Sequence, residues 1–94
     1  MDRLIHEHRE GTLSAAARHG ARRVRLFGSR VSGSASADSD VDLLAEMEPD
    51  RSLLDRIALI EDLEALLGLR VDVVNERALH RAIRDQVLAS AQPL

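Results

Sequence analysis

The sequence predicts a small α/β fold, one domain over residues 1–94 in which helices pack on a short mixed sheet. Apolar residues recur at helical spacing in three stretches and alternate with polar ones in three others, and the two kinds of stretch are interleaved. Gly20, Gly28, Pro49 and Gly68 fall between them as breakers. With 94 residues, 45 % of them apolar, there is material for one small core and no room for a second.

Residues 2–19 read as the first helix, with Leu4, Ile5, His8, Leu13, Ala16 and Ala17 at roughly helical spacing. Gly11 weakens its middle, and Gly20 is a good C-terminal stop. From Arg22 to Phe27 arginine alternates with apolar residues, as in a half-buried strand, with Val24 and Leu26 on one face and Arg23 and Arg25 on the other. Residues 28–39 are rich in Gly, Ser and Ala and read as a loop. Val41 to Met47 is a second strand; Val41, Leu43, Ala45 and Met47 share one face, and Asp40, Asp42, Leu44 and Glu46 the other. Pro49-Asp50 ends it. Ser52 to Leu67 is an amphipathic helix expected to bury Leu53, Leu54, Ile57, Ile60, Leu63, Leu66 and Leu67 along one side, capped by Gly68. Residues 70–74 form a third strand with Asp72 opposite Val71 and Val73, residues 75–77 turn, and residues 78–90 form a last helix.

Composition excludes several classes of function. There is no lysine, so a Walker A loop, which needs one on the phosphates, is ruled out, as is any catalytic lysine. Cysteine is absent, which removes disulfides, thiolate zinc sites and cysteine nucleophiles and fits a reducing cytoplasm. No apolar run is long enough to span a membrane, and the first residues are too polar for a secretory signal. Phe27 is the lone aromatic and the net charge is -3, so neither base stacking nor broad phosphate-backbone binding is expected.

What remains points to phosphate chemistry. A strand running straight into Gly28-Ser29 is how phosphate loops are built, because a small residue lets backbone N–H groups approach an anion. After ten intervening residues, Asp40 and Asp42 stand at i and i+2 on a strand and so point to the same side. Asp72, in a valine-rich strand, would join them on the polar face of the sheet. Aspartate is depleted in strands, and three together repel unless a cation lies among them. Carboxylate-only ligands suit Mg²⁺ or Mn²⁺, and Mg²⁺ commonly completes its shell with substrate phosphates. The histidines carry no comparable signal: His6 and His8 diverge on a helix, His19 sits at a helix C-terminus, and His80 reads as a surface residue.

The runs Leu26-Phe27-Gly28-Ser29-Arg30 and Ser39-Asp40-Val41-Asp42-Leu43-Leu44, with Arg70-Val71-Asp72-Val73-Val74 later, resemble the signature of the minimal nucleotidyltransferases, a branch of the DNA polymerase β-like superfamily. The resemblance covers nearly the whole chain. It implies Asp40 and Asp42 as metal ligands, Asp72 as third ligand or as the base that takes the acceptor's proton, and Gly28, Ser29 and Arg30 as the nucleotide-binding turn. The chain departs from the family's common Gly-Ser-Arg-Ala-Arg-Gly at Ser32, which leaves Arg30 as the basic residue of the turn.

Members of this family usually serve as the antitoxin of a pair whose toxin is a HEPN RNase, and silence it by moving AMP from ATP to a tyrosine of the toxin. The resemblance therefore implies Mg²⁺, ATP as substrate and a HEPN protein as partner. Independently, this chain has no tyrosine, so a tyrosyl acceptor must lie on another protein. Two alternatives stand beside this expectation: an inactive antitoxin that works by binding alone, and a nucleotidyltransferase acting on a small molecule, for which the chain is short.

Overall fold

The structure, a computed structural model, describes residues 2–94. The first helical stretch is two helices, α1 (Arg3–Glu7) and α2 (Arg9–Arg18), broken at His8, where the backbone leaves helical angles and the ring Nδ1 lies 2.9 Å from the Leu4 carbonyl. Strand β1 (Ala21–Phe27) leads into a single helical turn, α3 (Ser29–Ser32), within the segment expected to be loop. Then come β2 (Val41–Met47), the long helix α4 (Leu53–Leu67), β3 (Val71–Asn75), a 3-10 turn (Glu76–Ala78), α5 (Arg81–Ser90) and a two-residue strand β4 (Gln92–Pro93). The sequence signals do not reveal β4, since two residues have no periodicity to read.

The sheet is mixed, with strand order β3–β2–β1–β4. β1 is antiparallel to both β2 and β4, while β2 and β3 are parallel across the α4 crossover. A bulge interrupts β1: Arg22 pairs with Glu46 but Arg25 pairs with Leu44, so β1 carries one extra residue. Arg23 takes it up with φ of 53°, a left-handed conformation rare outside glycine. The inserted residue changes the side-chain alternation, so Ala21, Val24 and Leu26 all reach the buried face.

That face packs on α1, α2 and α4. Ile5, Ala15, Ala16, Leu26, Val41, Leu43, Leu59, Leu63 and Val73 form its centre, each 3 % exposed or less. Gly11 marks the close approach of α2 to α4, since a methyl group there would stand 3.0 Å from Leu66 Cδ2. His19 at the end of α2 reaches Asp62 of α4 at 2.6 Å, joining the two helices at the surface. Ser52 and Asp55 form a capping box at the start of α4, and Gly68 ends it in the left-handed conformation.

Two expectations about burial need correction. Leu53, Leu54, Ile57 and Leu66 do not join the apolar side of α4 but are exposed, at 60 %, 74 %, 41 % and 38 %. The buried stripe is Leu59, Leu63 and Leu67. At 3.6 residues per turn, Leu54 stands roughly 180° around the helix from Leu63, so one sheet cannot cover both. Conversely, Leu44 on the polar side of β2 is fully buried, on a strand against which the 3-10 turn packs. Beside it Arg25 and Glu76 form an ion pair at 3.2 Å, with side chains only 11 % and 10 % exposed. The edge strand β3 is closed by α4: Glu64 accepts from the Val71 N–H at 3.1 Å, and Arg56 donates to the Val73 carbonyl at 2.7 Å.

Candidate active site

The end of β1 lies beside the starts of β2 and β3 at one end of the sheet. Asp42 is the centre of that end. It pairs across β1 with Phe27 and across β3 with Asp72, so Asp42 and Asp72 stand side by side on adjacent parallel strands. Asp72 is exposed and Asp42 half-buried, while Asp40 lies one residue outside β2, exposed, two residues from Asp42.

Gly28 closes the other flank. Its backbone adopts φ of 79° and ψ of -151°, a region open essentially to glycine alone. Its missing side chain is filled by the carboxylate: a Cβ built on Gly28 would stand 2.5 Å from Asp42 Oδ2. The turn and the carboxylates, separate in sequence, are thus in contact. Ser29 begins α3, so the first N–H groups of that turn have no partner within the helix.

The electrostatics follow from this crowding. Asp42 has its pKa raised above the usual carboxylate range, first by burial and then by the negative charges of Asp72 and Asp40. Among the described residues, no arginine or histidine forms an ion pair with Asp40, Asp42 or Asp72. The expected three-carboxylate cage is not closed: among the described residues, no three acidic or histidine side chains converge tightly enough to hold a metal by themselves. The donor set fits a hard cation that brings other oxygens with it, as Mg²⁺ does when it keeps water and substrate phosphate in its shell.

Arg30 is placed otherwise than expected. Its side chain is 5 % exposed and its donors are taken up by Asp2, Ala37 and Ser39. Ser32, at the position of the family's second arginine, bonds to the Ser29 carbonyl and the Ser34 hydroxyl. Glu46 is held by Arg22 and Arg23 at the far end of β2, away from Asp42. His80 is the N-cap of α5, its Nδ1 accepting from the Ala82 N–H at 3.1 Å. Asp2 escaped sequence reading: an Asp before a helix is a legible cap, but nothing local reveals that its second oxygen meets Arg30.

The family model described as a nucleotidyltransferase domain matches residues 12–94. The protein adenylyltransferase MntA of Thermococcus cleftensis is 52 % identical over 76 % of this chain and 72 % of its own length. A relative from Methanocaldococcus jannaschii, assigned the same activity, is 33 % identical over 93 % of this chain and 94 % of its own. Among solved structures, one assigned as a minimal nucleotidyltransferase superposes with a TM-score of 0.86 at 53 % identity, covering 100 % of this chain and 97 % of that one. A toxin–antitoxin complex with AMP-PNP shares the fold at a TM-score of 0.75 and 22 % identity, over 89 % of this chain and 70 % of that one. So does a complex of the MNT antitoxin with the tri-AMPylated HEPN toxin of Shewanella oneidensis, at 0.71 and 18 %, over 94 % and 69 %.

Proposed function

Because the chain belongs to the nucleotidyltransferase domain family and has the fold of a minimal nucleotidyltransferase, we propose that it moves AMP from ATP, with Mg²⁺, to a tyrosine of a HEPN toxin and so acts as its antitoxin. One observation of the site carries the reading furthest. Asp42 touches the Gly28 turn on one side and stands level with Asp72 on the other, and among the described residues no basic side chain forms an ion pair with either. A site that gathers negative charge beside a phosphate turn is arranged for a cation carried by a polyphosphate.

In this reading Asp40 and Asp42 hold Mg²⁺, with Asp72 as a third ligand or as the proton acceptor. The bound ion supplies neutralisation of charge on the phosphate oxygens, the dominant need in phosphoryl and nucleotidyl transfer. Gly28 leaves the backbone bare for close approach of the triphosphate, which the Ser29 hydroxyl and N–H would hold. The tyrosyl oxygen of the acceptor attacks the α-phosphorus, the bond to the bridging oxygen breaks, pyrophosphate leaves, and the tyrosyl proton passes to Asp72 or to water. The partner's character rests on the relatives, whose names and complexes include protein adenylyltransferases and a HEPN toxin bearing AMP.

The buried Arg30 and the small Ser32 favour a second reading, since neither puts a basic group of the turn on the phosphates. In it, the protein neutralises its partner by binding alone. Incubating the protein with its partner, ATP and Mg²⁺ and measuring the partner's intact mass separates the two. We expect a gain of one or more AMP units, abolished by the double substitution Asp40→Ala/Asp42→Ala. No gain with the natural chain, together with equal neutralisation of toxicity by the double variant, would leave binding as the whole function.

A further inference from the structure

We propose that Arg30 and Asp2 form a clamp that fixes the backbone entering Asp40, so that Arg30 is a positioning residue for the metal-binding edge and not a ligand of the triphosphate. The inference rests on the reading of Asp40 as a metal ligand given above.

The clamp is a continuous run of bonds. Arg30 Nε donates to the Ser39 carbonyl at 3.1 Å, and Nη2 donates to the same oxygen at 2.8 Å and to the Ala37 carbonyl at 3.0 Å. Arg30 Nη1 donates to Asp2 Oδ2 at 2.9 Å. The other carboxylate oxygen of Asp2 accepts the Ile5 N–H at 3.2 Å, and Ile5 is fully buried in the core. Ile5 thus anchors Asp2, Asp2 orients Arg30, and Arg30 holds the carbonyl of Ser39, the residue directly before Asp40.

That segment has little else to hold it. Between α3 and β2 the chain forms no helix or strand, and its own bonds are local, such as the Ser36 N–H to the Ser39 hydroxyl at 2.9 Å and the Ser39 N–H to the Ser36 carbonyl at 3.2 Å. A guanidinium presents five N–H donors in a rigid fork, and the clamp uses Nε, Nη1 and both donors of Nη2. Swinging it toward a phosphate would break all these bonds and strand a side chain that is 5 % exposed. An ammonium cannot reproduce the fork, so lysine would not substitute.

Asp2→Asn and Arg30→Lys test the clamp. Asparagine still caps α1 but gives up the charge that holds the guanidinium. Two readouts are compared: backbone deuterium exchange of residues 36–41 in the isolated protein, and AMP transfer to the partner as a function of Mn²⁺ and of ATP. Both variants should speed exchange in 36–41 by about tenfold, as for a loop whose local opening has become easier, while exchange in β1 stays unchanged and reports an intact fold. Both should raise the Mn²⁺ concentration for half-maximal transfer by about 3- to 10-fold, with the KM for ATP at saturating Mn²⁺ held within about twofold, the pattern of a displaced metal ligand. Unchanged exchange in both variants would overturn the clamp. So would a raised KM for ATP in Arg30→Lys with Asp2→Asn behaving as the natural chain, which would make Arg30 a phosphate ligand. If the natural protein transfers no AMP, the functional reading fails and the exchange result alone decides the clamp.

Discussion

Asp42 lies between Gly28 and Asp72, and its two neighbours act on it differently. Gly28 limits the space of its carboxylate, and Asp72, with Asp40, opposes its charge after burial has already done so. A carboxyl group whose folded pKa is raised holds its proton more tightly in the folded than in the unfolded chain. Stability therefore falls as pH rises from the ordinary aspartate value through the raised one, and the ionised state at neutral pH is the strained one. Asp42→Asn should raise the thermal midpoint of the metal-free protein at pH 7 and leave it unchanged at pH 3, while AMP transfer drops by about a thousandfold or more, equivalent to about 4 kcal/mol of barrier. Calorimetry at the two pH values, paired with a transfer assay, checks both parts; a lower midpoint at pH 7 would contradict the repulsion argument. The types and spacing of these residues were legible in the sequence. The contact between Gly28 and Asp42 was not, because it depends on β1 and β2 being antiparallel neighbours paired at Phe27 and Asp42.

At the scale of elements, the α2–α4 contact turns on Gly11. The residue looks like a weak point in a helix, where glycine costs about 1 kcal/mol relative to alanine. In the fold it faces Leu66, and an added methyl group would meet only the ends of that side chain, at 3.0 and 3.4 Å. Leu66 is 38 % exposed and so has room to turn. Gly11→Ala is therefore expected to stabilise the protein by about 0.5–1 kcal/mol in urea unfolding, the helix gain outweighing a rotamer change. A destabilised variant would show that Leu66 cannot move. Periodicity located the strands and the main helices because each must bury a face. It misassigned Leu53, Leu54 and Ile57 because apolar content on a helix does not say which side meets the sheet.

The whole molecule adds a charge pair that no local pattern reveals. Arg25 on β1 and Glu76 after β3 are 51 positions apart, meet at 3.2 Å and are nearly buried. Arg25 holds the Glu76 carboxyl below its ordinary value, assisted by Arg23 and Arg84. A depressed folded pKa gives stability that is complete above the unfolded glutamate value, about 4.3, and is lost as pH falls below it through the folded value. Glu76→Gln should lower stability near neutral pH by about 1–2 kcal/mol, because the guanidinium loses its counter-charge, and should flatten the acid limb of stability against pH. Urea unfolding between pH 3 and pH 7 measures both; an unchanged acid limb would assign that limb to other carboxylates, such as Asp55 in its capping box.

The sequence by itself determined the family, the order of the main helices and strands and the chemical inventory: a glycine-serine turn, three aspartates, no lysine and no tyrosine. These are local or compositional facts, fixed by residue type and spacing. Tertiary structure decided which of those residues meet. Strand pairing set Asp42 against Gly28 and level with Asp72, and the fold of the N-terminal helix brought Asp2 to Arg30. The assignment of Arg30 changed for that reason. In sequence it is the only basic residue of a phosphate turn, whereas in the fold its donors are bonded to the backbone ahead of Asp40. A side chain's role follows from the partners it meets, and those are supplied by contacts far along the chain.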